Sequence, residues 1–176
     1  MARKLEHPAL DHLSATPEIL RLIMAGVSDQ QTQWKPAPDR WSIAEVLEHL
    51  SHVEAHCFRA RIDLMVSQNE PDIEAYDQDA LAAEGVYSNR EAEESFAHWE
   101  EQREDNSDFL RELDAGVLSR TARHPALGTV TVEDLLNEWA FHDLGHVRQI
   151  TELVRAQMYY PNLGPFLTQS YNKVHP

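Results

Sequence analysis

The chain of 176 residues has one cysteine, no long hydrophobic run, and half as many basic as acidic side chains (15 against 30). Each shortage excludes something. Cys57 alone cannot form an internal disulfide, so the fold must rest on its core, and a reducing cytoplasm is the simplest setting. No stretch of about eighteen apolar residues occurs, which leaves no candidate for a membrane-spanning helix. Residues 1–8 lack the apolar segment of a signal peptide, and no leader is expected. The formal charge of −15, without a dense Lys/Arg cluster, points away from nucleic acids and anionic membranes, because phosphate-rich surfaces are gripped by clustered cations. No repeat, low-complexity tract or linker interrupts the chain. Residues 1–176 are therefore expected to form one domain, long enough to bury a full core.

What is present is helical periodicity. Thr16 as N-cap and Pro17 at the first helical position predict a helix over residues 16–30, with Ile19, Leu20, Ile23, Met24 and Val27 on its apolar face. The proline-stiffened segment 33–40 follows. Ser42 with Glu45 forms a capping-box pattern that opens a second helix over 41–67. An acidic connector, 68–87, is long for a helix hairpin and suggests a crossover. Ser88 with Glu91 predicts a cap for a third helix over 89–113, anchored by Phe96, Trp99, Leu110 and Leu113 despite a very polar middle. Residues 119–130, with Pro125 and Gly128, read as a short hairpin or loop. Thr131 with Asp134 caps a fourth helix over 131–158. The aromatic, proline-rich tail 159–166 is expected to pack on the bundle or on a partner. The fold class is all-α, a four-helix bundle.

Ten histidines are many for this length, and their placement matters more than their number. His142 and His146 lie four residues apart on the fourth helix, hence one turn apart on one face. Stepping through Leu135, Trp139, His142, His146, Ile150 and Leu153 keeps them on the inward seam. On the second helix, Val46, His49, Val53 and His56 trace a similar seam. Chance supplies roughly 0.6 such i,i+4 histidine pairs, and the chain has two. The seam position of His142 and His146, the matching His49, and the neighbours Asp143 and Gln149 single out one pair. A buried imidazole must bond or coordinate, since leaving it unpaired costs roughly 1–3 kcal/mol. Three histidines from two helices form an open site for one divalent ion. His52 falls off the seam, in a solvated or supporting role. His7, His12, His98, His124 and His175 are expected at the surface. Glu45 and Glu138 each lie one turn before a candidate ligand. They are candidate catalytic carboxylates, against the plainer reading of helix-terminal acids. Trp41 and Trp139 are expected as core anchors, and Cys57 as a small core residue.

The segment Trp41-Ser42-Ile43-Ala44-Glu45-Val46-Leu47-Glu48-His49-Leu50 with Glu54, followed by Phe141-His142-Asp143-Leu144-Gly145-His146-Val147-Arg148-Gln149-Ile150, resembles the DinB/YfiT-like superfamily of metal-dependent enzymes. The resemblance runs from about residue 8 to about residue 155. It implies an up-down-down-up bundle and a homodimer, with metal ligands mapping onto His49, His142 and His146. Zinc or nickel is the implied ion, with manganese or iron as further options. Relatives include hydrolases, a mycothiol-dependent isomerase and transferases acting on low-molecular-weight thiols, so the expected partner is a small-molecule substrate, with a thiol as a further cofactor in the transferase case. The expected function is metal-dependent hydrolysis or thiol transfer. A non-catalytic metal- or ligand-binding bundle and a metal-free structural bundle are the rivals. From the charge pattern alone, a labelled DNA duplex should show no salt-sensitive submicromolar binding in a fluorescence anisotropy titration; such binding would overturn the electrostatic reading.

Overall fold

A computed structural model describes residues 3–88, 90–169 and 173–175. Its long helices are α1 (Pro8–Ile23), α3 (Ile43–Val53), α6 (Ala92–Glu112) and α7 (Val132–Val154). A short α2 (Asp29–Thr32) precedes α3. A π-helical turn (Glu54–Arg59) carries α3 on into α4 (Ala60–Ser67). The connector contains α5 (Gln78–Ala83), and a hairpin of β1 (Thr121–His124) and β2 (Gly128–Thr131) leads into α7. In that hairpin, Thr121 pairs with Thr131 and His124 with Gly128, antiparallel.

Two apolar clusters give the direction of each helix. One joins Leu10 and Leu13 of α1, Ile62 and Met65 of α4, Leu110 of α6, and Val132 and Leu136 of α7. The other joins Leu20, Val46, Trp99 and Ile150. Early α1 and early α7 thus share one end with late α6 and with α4. The order is up, down, down, up, and the two parallel helices α3 and α6 need the long connector as their crossover. Each fully buried large apolar side chain here stabilises by roughly 1.5–3 kcal/mol. Among the described residues no helix is long and apolar enough to cross a membrane.

Several boundaries differ from the sequence expectation. The first helix begins at Pro8, capped by His7, whose Nδ1 accepts from the Ala9 amide at 3.2 Å. Thr16 and Pro17 are interior and buried. Proline lacks the N–H that would bond the carbonyl four residues earlier, which leaves the Leu13 carbonyl free. Buried Arg103 takes it, at 2.9 Å. Ser88 and Glu91 do not form the expected box: Glu91 is the N-cap without a side-chain bond, and Ser88 Oγ donates to Glu45 at 3.4 Å; Asn89 lies outside the described residues. The boxes at Ser42/Glu45 and Thr131/Asp134 are present. His56 is exposed rather than on the seam. The π turn bonds i to i+5, so it rotates the chain less per residue than an α-helix. His56 swings out, and Phe58 takes the interior position at 2 % exposure. In the tail, Tyr159 and Phe166 are more than half exposed, so it is not laid into the core.

Between the two apolar clusters lies a polar layer. Arg103 is 2 % exposed. It donates to Glu54 Oε1 at 2.8 Å and Oε2 at 2.7 Å, and to Asp143 Oδ2 at 2.6 Å. Glu54 also accepts from Trp99 Nε1 at 3.3 Å, Trp139 Nε1 at 3.2 Å and Asn106 Nδ2 at 3.0 Å. Every partner is an N–H donor, so Glu54 serves as an acceptor-only carboxylate. Removing Glu54 would leave two N–H groups of Arg103 and those of Trp99, Trp139 and Asn106 without their acceptor, at roughly 1–3 kcal/mol for each buried group left unsatisfied. Glu54→Ala should therefore lower the unfolding free energy by roughly 3 kcal/mol or more, read from urea unfolding followed by far-UV circular dichroism. A loss within ~1 kcal/mol would show that the network does not hold the bundle.

Candidate metal centre

Three side chains converge at one edge of the polar layer. The Ser42/Glu45 cap starts α3 so that His49 points inward, fully buried. The Thr131/Asp134 cap sets α7 so that His142 and His146 face it. His49 Nε2 lies 3.0 Å from His142 Nε2, and His146 Nε2 lies 3.2 Å from the same atom. One nitrogen of each ring falls within 4.8 Å of the others. Nitrogens that share one ion at ~2.0–2.1 Å stand roughly 2.9–3.4 Å apart, so the spacing fits a single first-row divalent ion.

Protonation also fits. Burial, aided by the neighbouring imidazoles His146, His142 and His52, pushes His49 down to about 2. Burial and then His142 push His146 down to about 4, against weaker opposing effects of Gln149 and Asp143. Both rings are thus neutral near pH 7, the form that ligates. His146 Nδ1 lies 2.9 Å from Gln149 Oε1. An amide oxygen only accepts, so the proton sits on Nδ1 and the lone pair of Nε2 faces the cluster. Among the described residues His49 Nδ1 and His142 Nδ1 are buried without a hydrogen bond, as is Asp143 Oδ1.

Aromatic rings wall the cluster. Trp41 lies parallel to His146 with centroids 6.5 Å apart, and tilts against His49 at 5.0 Å. It is partly buried, packs against the second apolar cluster as expected of a core anchor, and also walls the site. Tyr87 stands edge-on to His49 at 5.0 Å, and Phe58 edge-on to His142 at 5.4 Å. Tyr76 bonds Tyr87 through the hydroxyls at 2.9 Å and His52 Nδ1 at 2.7 Å. Burial raises both phenols above their ordinary range. Trp139 and Cys57 are core residues, as expected. A polar cavity of about 240 Å³, lined by Asp39, Arg40, Trp41, Gln78, Asp79, His146 and Gln149, opens on the cluster. A larger cavity of about 590 Å³ touches His52, His56 and Tyr76 but none of the three histidines, whereas the smaller one reaches His146.

Neither sequence-chosen carboxylate meets the cluster. Glu45 is committed to its cap: Oε2 accepts from the Ser42 amide at 2.9 Å and Oε1 from Lys35 at 2.6 Å. Glu138 is exposed, and no hydrogen bond or ion pair links it to the histidines among the described residues. The carboxylate that approaches is Asp143, whose Oδ1 is 3.7 Å from His142 Nδ1. Sequence reasoning missed Tyr76 and Tyr87, which come from an aperiodic connector. It also missed Arg103, although Trp99, Arg103, Asn106 and Leu110 step along one face of α6 at helical spacing.

The fold and centre define a class, an all-α bundle whose core carries a three-imidazole cluster. The profile of the DinB superfamily matches residues 12–150, and the chain belongs to that superfamily. A protein of Oceanobacillus iheyensis, named as a "putative metal-dependent hydrolase", is 24 % identical over 148 residues, covering 83 % of this chain and 84 % of its own. YfiT from Bacillus subtilis, described as "a probable metal-dependent hydrolase with an unusual four-helix bundle topology", superposes with a TM-score of 0.75. It is 22 % identical and covers 89 % of this chain and 92 % of its own.

The depressed histidines make a stability prediction. In the unfolded chain both imidazoles titrate near ~6.5, whereas folded His49 and His146 do so near about 2 and about 4. Between those values the unfolded state binds more protons, so stability is lost as pH falls. The metal-free protein should melt progressively lower as pH drops from about 6.5 toward 4, more steeply than a His49→Gln variant. Equal slopes for the two proteins would contradict a buried, neutral His49.

Proposed function

We propose that this chain is a divalent-metal-dependent hydrolase in which His49, His142 and His146 hold the ion through Nε2. The observation that carries the reading is the convergence of three Nε2 atoms beside a polar opening. The imidazole donor set suits zinc or nickel. When bound, such an ion supplies Lewis acidity, which polarises an acyl oxygen and eases deprotonation of a water or thiol that reaches it. The names of the two relatives support hydrolysis as the reaction class.

The chain's own residues shape the rest. Trp41, Phe58 and Tyr87 cover the ring faces and exclude water from the closed side. Gln149 keeps the His146 lone pair turned inward. Arg40, Gln78, Asp39 and Asp79 line the smaller cavity and suit a small polar substrate. In this reading Glu45 serves the α3 cap, and Glu138 has no part in holding the ion.

Elemental analysis of purified protein, followed by turnover of an ester, amide and thiol–electrophile panel, tests the proposal. Wild-type protein should carry about one divalent ion per chain and hydrolyse at least one class. His146→Ala should lose the ion and turnover together while keeping its helical signal, since a ligand supplies coordination more than packing. Glu138→Gln should keep the ion. Full metal content in His146→Ala would refute the ligand set. Thiol transfer without hydrolysis would replace the reaction class, and a bound ion with no turnover on any arm would leave a binding protein.

A further inference from the structure

We infer that Asp143 is the positioning residue for the metal centre: held by Arg103 through one oxygen, it presents the other to Nδ1 of His142 and so fixes which nitrogen of that ligand faces the ion. The inference rests on the three-histidine reading above.

The two oxygens of Asp143 are in different states. Oδ2 accepts from Arg103 Nη1 at 2.6 Å. Oδ1 is buried, has no hydrogen bond, and lies 3.7 Å from His142 Nδ1, which is buried and unbonded as well. Two buried polar atoms left orphaned face to face would each cost roughly 1–3 kcal/mol. A shift of under about 1 Å in the ring satisfies both, because an N–H···O bond forms at ~2.7–3.2 Å. The donor in that bond can only be Nδ1–H, since the carboxylate is an acceptor. The tautomer of His142 is then settled, with its lone pair on Nε2, where the other two rings converge. His146 is held the same way by Gln149.

Charge points in the same direction. The buried layer holds one guanidinium against two carboxylates, Glu54 and Asp143. One negative charge is left over. Glu54 has both oxygens filled by Arg103, Asn106 and two tryptophans. The uncompensated charge therefore lies on Asp143, the member that faces the three imidazoles. A buried anion adjoining a cluster of imidazole nitrogens is an environment that favours a cation there, and outer carboxylates of this kind orient ligating imidazoles and raise their basicity.

The test uses the full chain, stripped of metal and titrated with zinc alone. Zinc-loaded wild-type protein labelled with ¹⁵N-histidine should show His142 protonated on Nδ1, with an exchange-protected proton. Asp143→Asn should bind zinc roughly 10–100-fold more weakly by calorimetry, and its cobalt-substituted form should show a shifted visible spectrum. A lowered melting temperature in Asp143→Asn with unchanged zinc affinity would show a merely structural role and overturn the inference. So would a His142 ring that ligates through Nδ1, a result that needs no variant and stands even if Asp143→Asn fails to fold. Failure of wild-type protein to bind zinc or cobalt would instead sink the three-histidine reading itself, and this inference with it.

Discussion

The structure turns on one buried guanidinium. Arg103 reaches from the middle of α6 to Glu54 at the end of α3, Asp143 on α7 and the Leu13 carbonyl on α1. All four long helices meet at one side chain. The acceptor on α1 exists because Pro17 has no amide hydrogen to offer Leu13. The reach from α3 depends on Glu54 standing at the entry to the π turn, beside Phe58, which stacks on Trp139 at 5.0 Å. Burying three charges is expensive, and apolar side chains of similar volume often do as well for stability. What such a network does supply is register. In this alignment of the helices Arg103 makes four hydrogen bonds and both oxygens of Glu54 are filled.

The same register builds the three-histidine cluster. His142 immediately precedes Asp143 on α7, and His49 lies five residues before Glu54 on α3. Once α3 and α7 are locked through Arg103, the Nε2 atoms of the histidines come together within 3.0 and 3.2 Å of His142. The polar layer divides the apolar core into two clusters, and the imidazoles sit at its edge rather than inside either cluster. Ionic core and nitrogen cluster are thus neighbouring parts of one layer, with Asp143 as their shared member.

Much of this was legible in the sequence. The four apolar stripes gave the helices, and the Ser42/Glu45 and Thr131/Asp134 boxes gave two of their starts. Seam arithmetic on α7 identified His142 and His146, because an α-helix without interruption preserves its period. It failed for His56 because a π turn changes the rotation per residue and leaves no clear mark in the composition. It misplaced the start of α1 because proline at a helix interior looks like a helix start, and the donor that takes up the freed Leu13 carbonyl lies 90 residues beyond Leu13, on α6. The carboxylates at one-turn spacing do not reach the histidines. Glu45 was already spent on its cap, and the acid that approaches the site is adjacent in sequence to a ligand, a spacing that a same-face search passes over. Tyr76 and Tyr87 come from a connector without periodicity, where only the tertiary fold shows what they face.

The central claim is that three Nε2 atoms share one divalent ion. Anomalous diffraction at the zinc edge, from crystals grown with zinc, addresses it most directly. The account predicts one strong peak per chain at ~2.0–2.2 Å from Nε2 of His49, His142 and His146. A peak bound through Nδ1, a peak that omits His49, or strong zinc sites elsewhere with none at the cluster would contradict it.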